Sequence, residues 1–247
     1  MAKPSLFQTY SNKYLAAAFP PGDERLSRGK PLDIAFAFDT TGSMYRYLEL
    51  VYAQIHQLTE RILSSIPSAR IGIVAYADHF DEKTHYLTKV LPLTDHRERI
   101  GAFLQGVEAT HGGDEPEAVE DALAEVNDLN WRMSTHRALV LIGDAPPHGV
   151  IDEKSNCPRR KDYEQETQAL AGKGVRLYAV QCGGQEATTK AFEWMAQTTD
   201  GMRLDLENAD DLVDLLIGVC MREVGMLEQF SQELQERQGM TESKSKL

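Results

Sequence analysis

The sequence predicts an α/β fold, a doubly wound (Rossmann-like), mostly parallel sheet with helices on both faces. Three observations carry that expectation. Short apolar runs alternate along the chain with longer segments of helical periodicity. Two of the most apolar runs end in aspartate-bearing turns, Asp39-Thr40-Thr41-Gly42-Ser43 and Gly143-Asp144. One further run follows its predecessor after only about ten residues, too short a gap for a helical crossover and suited to an antiparallel edge hairpin.

In chain order, residues 1–30 are mixed and turn-rich and read as a lead-in segment. Asp33-Ile34-Ala35-Phe36-Ala37-Phe38 is a buried strand, stopped by the polar turn that follows. Met44, Leu48, Val51, Ile55, Leu58 and Ile62 recur in steps of four and three, an amphipathic helix that Pro67 ends. Arg70 to Tyr76 is a second strand and His85 to Leu91 the third, an edge strand. Thr94-Asp95 opens a helix through Ile100, Phe103 and Leu104, and Glu117 to Leu129 forms another. Ala138 to Ile142 is the most hydrophobic strand. Asp162 to Lys173 is helical and is closed by Gly174, where a left-handed cap suits glycine. A strand over Val175 to Val180, a helix over Thr188 to Gln197 and a strand over Met202 to Leu206 follow. Val213, Leu216, Ile217, Cys220, Val224 and Leu227 mark a long final helix. The domain therefore spans residues 31–237, with a polar tail over 238–247.

Composition narrows the function. The 247 residues are 42% hydrophobic, enough for a sizeable core. Asp and Glu outnumber Lys and Arg 38 to 26, a net charge of −12. That balance excludes a nucleic-acid backbone or an anionic membrane as the main partner and suits cation binding. Cys157, Cys182 and Cys220 form neither a disulfide framework nor a C-x-x-C zinc pattern. No apolar run is long enough for a transmembrane helix, and the segment near Met1 lacks a secretory layout. The expected setting is cytoplasmic.

Ligands of such sheets sit outside the carboxyl ends of the strands. Asp39 and Asp144 both fall there, and the loop Thr110 to Glu117 lies between them in sequence and opens a helix. Acidic loops converging without a compensating basic motif repel one another, and a hard cation relieves the repulsion through oxygen ligands. Thr41 and Ser43 supply neutral oxygens. Each residue also has an ordinary structural role available: Asp39, Thr41 and Ser43 as turn or helix-capping residues, Glu117 or Asp114 as a first-turn acid. His148 reads as a loop-ordering residue more readily than as a general base. Asp78, His79, Asp81 and His85 read as solvated hairpin residues more readily than as a second metal site. The acids around Glu120 and Asp210 read as solvated helix faces.

Asp39-Thr40-Thr41-Gly42-Ser43 resembles the Asp-x-Ser/Thr-x-Ser element of the von Willebrand factor type A (VWA) domain. Asp114-Glu115-Pro116-Glu117 is similar to the Asp-x-Pro-Glu loop of the integrin β version. Gly143-Asp144-Ala145-Pro146-Pro147-His148-Gly149 is similar to the third element of VWA domains attached to α-kinases. The resemblance covers about Pro31 to Val224. It implies a six-stranded sheet with one antiparallel edge strand. It further implies a non-enzymatic binding module with a metal-ion-dependent adhesion site, at which a protein partner's carboxylate fills an open metal position. By position, Asp39, Thr41, Ser43, Glu117 and Asp144 carry over as ligands of one ion, Mg²⁺ or else Mn²⁺ or Ca²⁺, with Asp114 as the rival to Glu117. Integrin β-type domains carry acids just after the first element for an adjacent ion; Arg46 and Tyr47 stand there instead, so a single cation is expected.

Two other functions compete. The first element also resembles the Asp-Lys-Thr-Gly-Thr motif of haloacid-dehalogenase-like phosphotransferases, which would make Asp39 a nucleophile beside Mg²⁺. Thr40 replaces the lysine, and Ala145-Pro146-Pro147 stands where paired acids belong. The other is a scaffold whose cation only stabilises the fold.

Overall fold

A computed structural model describes residues 31–66, 68–151, 156–206 and 212–223. The lead-in over 1–30, Pro67, Asp210, the final helix beyond Glu223 and the tail over 238–247 lie outside the described residues, as do the side chains of Val51, Val213 and Ile217.

Six strands form one sheet: β1 (Leu32–Asp39), β2 (Arg70–Tyr76), β3 (Thr88–Thr94), β4 (His136–Gly143), β5 (Arg176–Cys182) and β6 (Met202–Leu206), in the order β3-β2-β1-β4-β5-β6. All neighbours run parallel except β3, which pairs antiparallel with β2 at the edge. β1 takes the centre because all eight of its residues can be buried on both faces. The helices are α1 (Tyr45–Ser65), α2 (Arg97–Gln105), α3 (Val119–Asn127), α4 (Tyr163–Gly172), α5 (Glu186–Thr198) and α6 (Leu212–Glu223).

The period of two along β1 sorts its side chains between two cores. Leu32, Ile34, Phe36 and Phe38 pack with Leu48, Ile55, Leu58 and Ile62 of α1, Ile100 and Leu104 of α2, and Leu216 and Cys220 of α6. Ala35 and Ala37 pack with Val119, Leu123 and Val126 of α3, Leu170 of α4, and Phe192 and Met195 of α5. The doubly wound expectation therefore holds, and Gly174 closes α4 at φ +66° as the sequence predicts.

Several strand and helix ends move by a residue or two, and three shifts have a clear tertiary cause. β3 begins at Thr88 and runs on through Pro92 to Thr94. Pro92 is tolerated because β3 is an edge strand and its register against β2 is irregular there. The predicted start, His85 to Leu87, instead leads in: Tyr86 Oη lies 2.6 Å from the Glu108 carbonyl oxygen and 2.9 Å from Thr40 Oγ1. α2 starts at Arg97 because Thr94 belongs to β3, its Oγ1 accepting from the His96 amide at 3.2 Å. α3 starts at Val119, since Glu117 is held outside it by a parallel bridge to Pro147 and donates its amide to the Pro146 carbonyl at 3.1 Å.

Candidate metal centre

The carboxyl ends of β1 and β4 open onto a cleft of about 460 Å³ whose walls include Thr41, Ser43, Gly112, Glu117 and Asp144. Asp39, at the end of β1, is fully buried beside Thr41. One carboxylate oxygen of Asp39, Oδ1, accepts from both the amide and the hydroxyl of Thr41 at 2.7 Å each. The other, Oδ2, is buried with no hydrogen-bond partner among the described residues. Ser43 Oγ lies 3.5 Å from Thr41 Oγ1 and donates to Asp144 Oδ1 at 3.0 Å. Across the cleft, Glu117 Oε2 is a second buried carboxylate oxygen without a hydrogen-bond partner among the described residues. All five residues matched to the three sequence elements thus meet at one edge, as strand ends of a parallel sheet require. Asp114 also reaches the wall of the cleft but is exposed, and one of its carboxylate oxygens groups with Asp78 and His148.

Electrostatics oppose leaving these acids bare. Burial raises the Asp39 carboxyl above its ordinary range, Thr41 holds it down in part, and the neighbouring Asp144 and Asp78 push it up further. Glu117 is raised chiefly by burial and then by Asp39, Asp78 and Asp144. Asp144 is raised by burial too, with Ser43 and the exposed Arg46 acting against the shift. A buried polar atom without a partner is costly, and buried like charges add to that cost. Hard oxygen donors with two free buried lone-pair positions and a surplus of negative charge fit a divalent cation. Beneath the cleft the floor is neutral: Tyr76 Oη donates to the Ile142 carbonyl at 3.3 Å, and a Cβ on Gly143 would sit 2.5 Å from that hydroxyl.

The loop carrying Glu117 is positioned by residues that the sequence alone left in solvent. Asp78 and Asp81 are buried. Asp81 accepts from the amides of His111 at 3.3 Å and Gly112 at 2.8 Å, and Asp78 accepts from those of Phe80 and Asp114 at 3.4 Å. Gly112 has φ +74°, which only glycine adopts freely. Glu120 and Asp121 are likewise buried and not on a solvated face. These side chains face loops distant in sequence, so a polar turn or helix face that would be wet locally is covered by the fold. His148 ties its loop to α3 through its backbone, the amide donating to Glu120 Oε2 at 3.2 Å, while its Nδ1 lies 2.9 Å from Glu120 Oε1.

A strand-end aspartate, two hydroxyl residues after it, an acid from the intervening loop and a second strand-end aspartate stand together at the carboxyl edge of a doubly wound α/β sheet. Residues 33–216 match the model of the von Willebrand factor type A domain family, and the chain belongs to that family. It is 24% identical over 196 residues to a putative ariadne-like RING finger protein, R811, of Acanthamoeba polyphaga mimivirus, covering 74% of this chain and 19% of that protein. It is 28% identical over 121 residues to the alpha-protein kinase vwkA of Dictyostelium discoideum, covering 48% of this chain and 19% of the kinase. The chain thus spans about a fifth of the length of these curated relatives. Two structures of the pilus adhesin SpaC from Lactobacillus rhamnosus GG share the fold, with TM-scores of 0.59 and 0.63 at 12% and 13% identity. They cover 81% of this chain and 30% and 31% of the adhesin.

Proposed function

We propose that the chain is a non-enzymatic protein-binding module in which Asp39, Thr41, Ser43, Glu117 and Asp144 hold one divalent cation, Mg²⁺ or else Mn²⁺ or Ca²⁺. When bound, the cation supplies a Lewis-acidic position for a carboxylate of a protein partner. The observation that carries this reading is the pair of buried carboxylate oxygens without a hydrogen-bond partner among the described residues, Asp39 Oδ2 and Glu117 Oε2, at the open cleft. Glu117 is preferred to Asp114 because it is buried beside Thr41, whereas Asp114 is exposed. A single ion is preferred because Tyr47 is buried and the guanidinium of Arg46 lies over its ring at 4.7 Å, so neither offers an acidic ligand on that side. Membership of the VWA family supports protein interaction over catalysis.

The rim supports a macromolecular partner. Tyr45 is 66% exposed at the start of α1, and Phe80 is 67% exposed and packs on Gly113 of the cleft wall. Exposed aromatics beside a charged anchor point are common at protein interfaces. A pull-down from cell extract in Mg²⁺ and in EDTA, repeated with Asp144→Ala, tests the proposal. Capture lost in EDTA and in the variant is expected; identical capture in all conditions would move the partner to another surface. Mg²⁺-dependent turnover of a phosphate ester that vanishes in Asp39→Asn would instead favour the phosphotransferase reading.

A further inference from the structure

Beside the cleft, four donors from three separate segments meet in a buried cluster. His79 follows β2, Glu120 and Asp121 sit in the first turn of α3, and Cys157 lies beyond β4. His79 Nε2 lies 3.1 Å from Asp121 Oδ2, 3.6 Å from Cys157 Sγ and 3.7 Å from Glu120 Oε1. Cys157 Sγ lies 3.3 Å from Asp121 Oδ2. A tetrahedral ion with N and O donors at about 2.0 Å and S at about 2.3 Å separates them by about 3.3 Å for N and O pairs and about 3.5 Å for pairs with sulfur. The four separations lie near those edges, and one ligand atom from each of the four residues lies within 4.8 Å of the others. We infer that His79, Glu120, Asp121 and Cys157 form a second metal site, closed and structural, for a zinc-class ion.

The competing arrangement is a protonated cluster in which His79 and the Cys157 thiol both donate to Asp121. It leaves Glu120 Oε1 poorly satisfied: that atom is buried and has no well-aligned hydrogen bond among the described residues, only ion-pair contacts to His148 Nδ1 at 2.9 Å and His79 Nε2 at 3.7 Å. The Glu120 side chain is only 1% exposed, so water does not reach it freely, whereas a cation would satisfy it directly. The donor set also selects the ion. Imidazole and thiolate favour zinc over Mg²⁺ or Ca²⁺, which prefer the all-oxygen cleft. Outer contacts orient the ligands: the His148 amide holds Glu120 Oε2, and Arg159 Nη1 approaches Asp121 Oδ1 at 3.8 Å. On binding, zinc displaces the thiol proton of Cys157 and any proton on His79 Nε2 to solvent, and the extra negative charge faces Arg159. The site would tie the loop after β2 and the segment after β4 to the helix start that follows Glu117.

The test is a titration of chelator-treated full chain with Co²⁺ in excess Mg²⁺. One equivalent should develop visible tetrahedral bands with a near-ultraviolet thiolate-to-cobalt band, and one equivalent of Zn²⁺ should bleach both. Cys157→Ser should abolish the near-ultraviolet band, while Asp39→Ala should keep it. Absence of that band in the parent, or its persistence in Cys157→Ser, would overturn the site. If Cys157→Ser fails to fold by circular dichroism, Glu120→Gln decides: at least tenfold weaker Zn²⁺ binding supports the site, and parent-like affinity overturns it.

Discussion

Replacing Asp39 by asparagine removes one negative charge from the end of β1 while keeping an oxygen to accept both bonds from Thr41. In the folded chain the Asp39 carboxyl is pushed from 3.8 to about 7, chiefly by burial, a rise equivalent to about 4 kcal/mol. Because the folded value lies above the unfolded one, its stabilising contribution is full below about pH 4 and is lost as pH climbs through 7. Glu117 and Asp144, also raised, act in the same sense. Without metal, Asp39→Asn should therefore match the parent only below about pH 4 and exceed it in stability by a growing margin up to about pH 7. Metal narrows that gap. A cation bound only by the native state adds about 2.7 kcal/mol at a hundredfold excess over Kd, which for a chain of this size raises the melting temperature by roughly 5–10 °C. The parent should show that gain at pH 8, less of it at pH 5 where protons compete, and the variant should show almost none. Thermal unfolding of both proteins in EDTA and in Mg²⁺, from pH 5 to 8, measures every term. An equal Mg²⁺-induced gain in parent and variant, or a parent–variant difference in EDTA that does not change with pH, would refute the reasoning.

Glu117→Gln should weaken Mg²⁺ binding at least tenfold by calorimetry, while Asp114→Asn should change it only a few-fold; the reverse order would exchange their roles. Anomalous diffraction from Mn²⁺-soaked crystals should show one peak among Asp39, Ser43, Glu117 and Asp144, and a neighbouring peak on the Arg46–Tyr47 side would contradict the single-ion reading. At the opposite edge of the sheet, Asp33 is fully buried and bonds Arg70 at 2.7 and 2.9 Å and Arg132 through several contacts. Asp33→Ala should cost about 2–3 kcal/mol of stability by denaturant unfolding without altering the Mg²⁺-induced gain, which separates fold stability from the cleft.

Much of the fold was legible because it is written in local periodicity. Phe36 and Phe38 alternate with Ala35 and Ala37, and Leu48, Ile55, Leu58 and Ile62 share one helix face whatever surrounds them. The strand-end positions of Asp39 and Asp144 follow from the same patterns, since each stands next to an uninterrupted apolar run. Where local and tertiary demands diverge, the chain alone misleads. The expected edge strand stops at Leu91, yet β3 runs through Pro92 to Thr94, and Glu117 looks helical until the bridge to Pro147 holds it at the cleft. Asp78, Asp81, Glu120 and Asp121 look solvated because a polar residue in a turn or on a helix has no local reason to be dry. The three dispersed cysteines gave no metal pattern for the same reason: Cys157 meets His79 across 78 positions of chain. Periodicity is a property of neighbours within a few residues, and it determined the strands, the helices and the edge on which two aspartates stand. Burial of a charge is decided by whatever packs over it, which only the closed tertiary structure supplies.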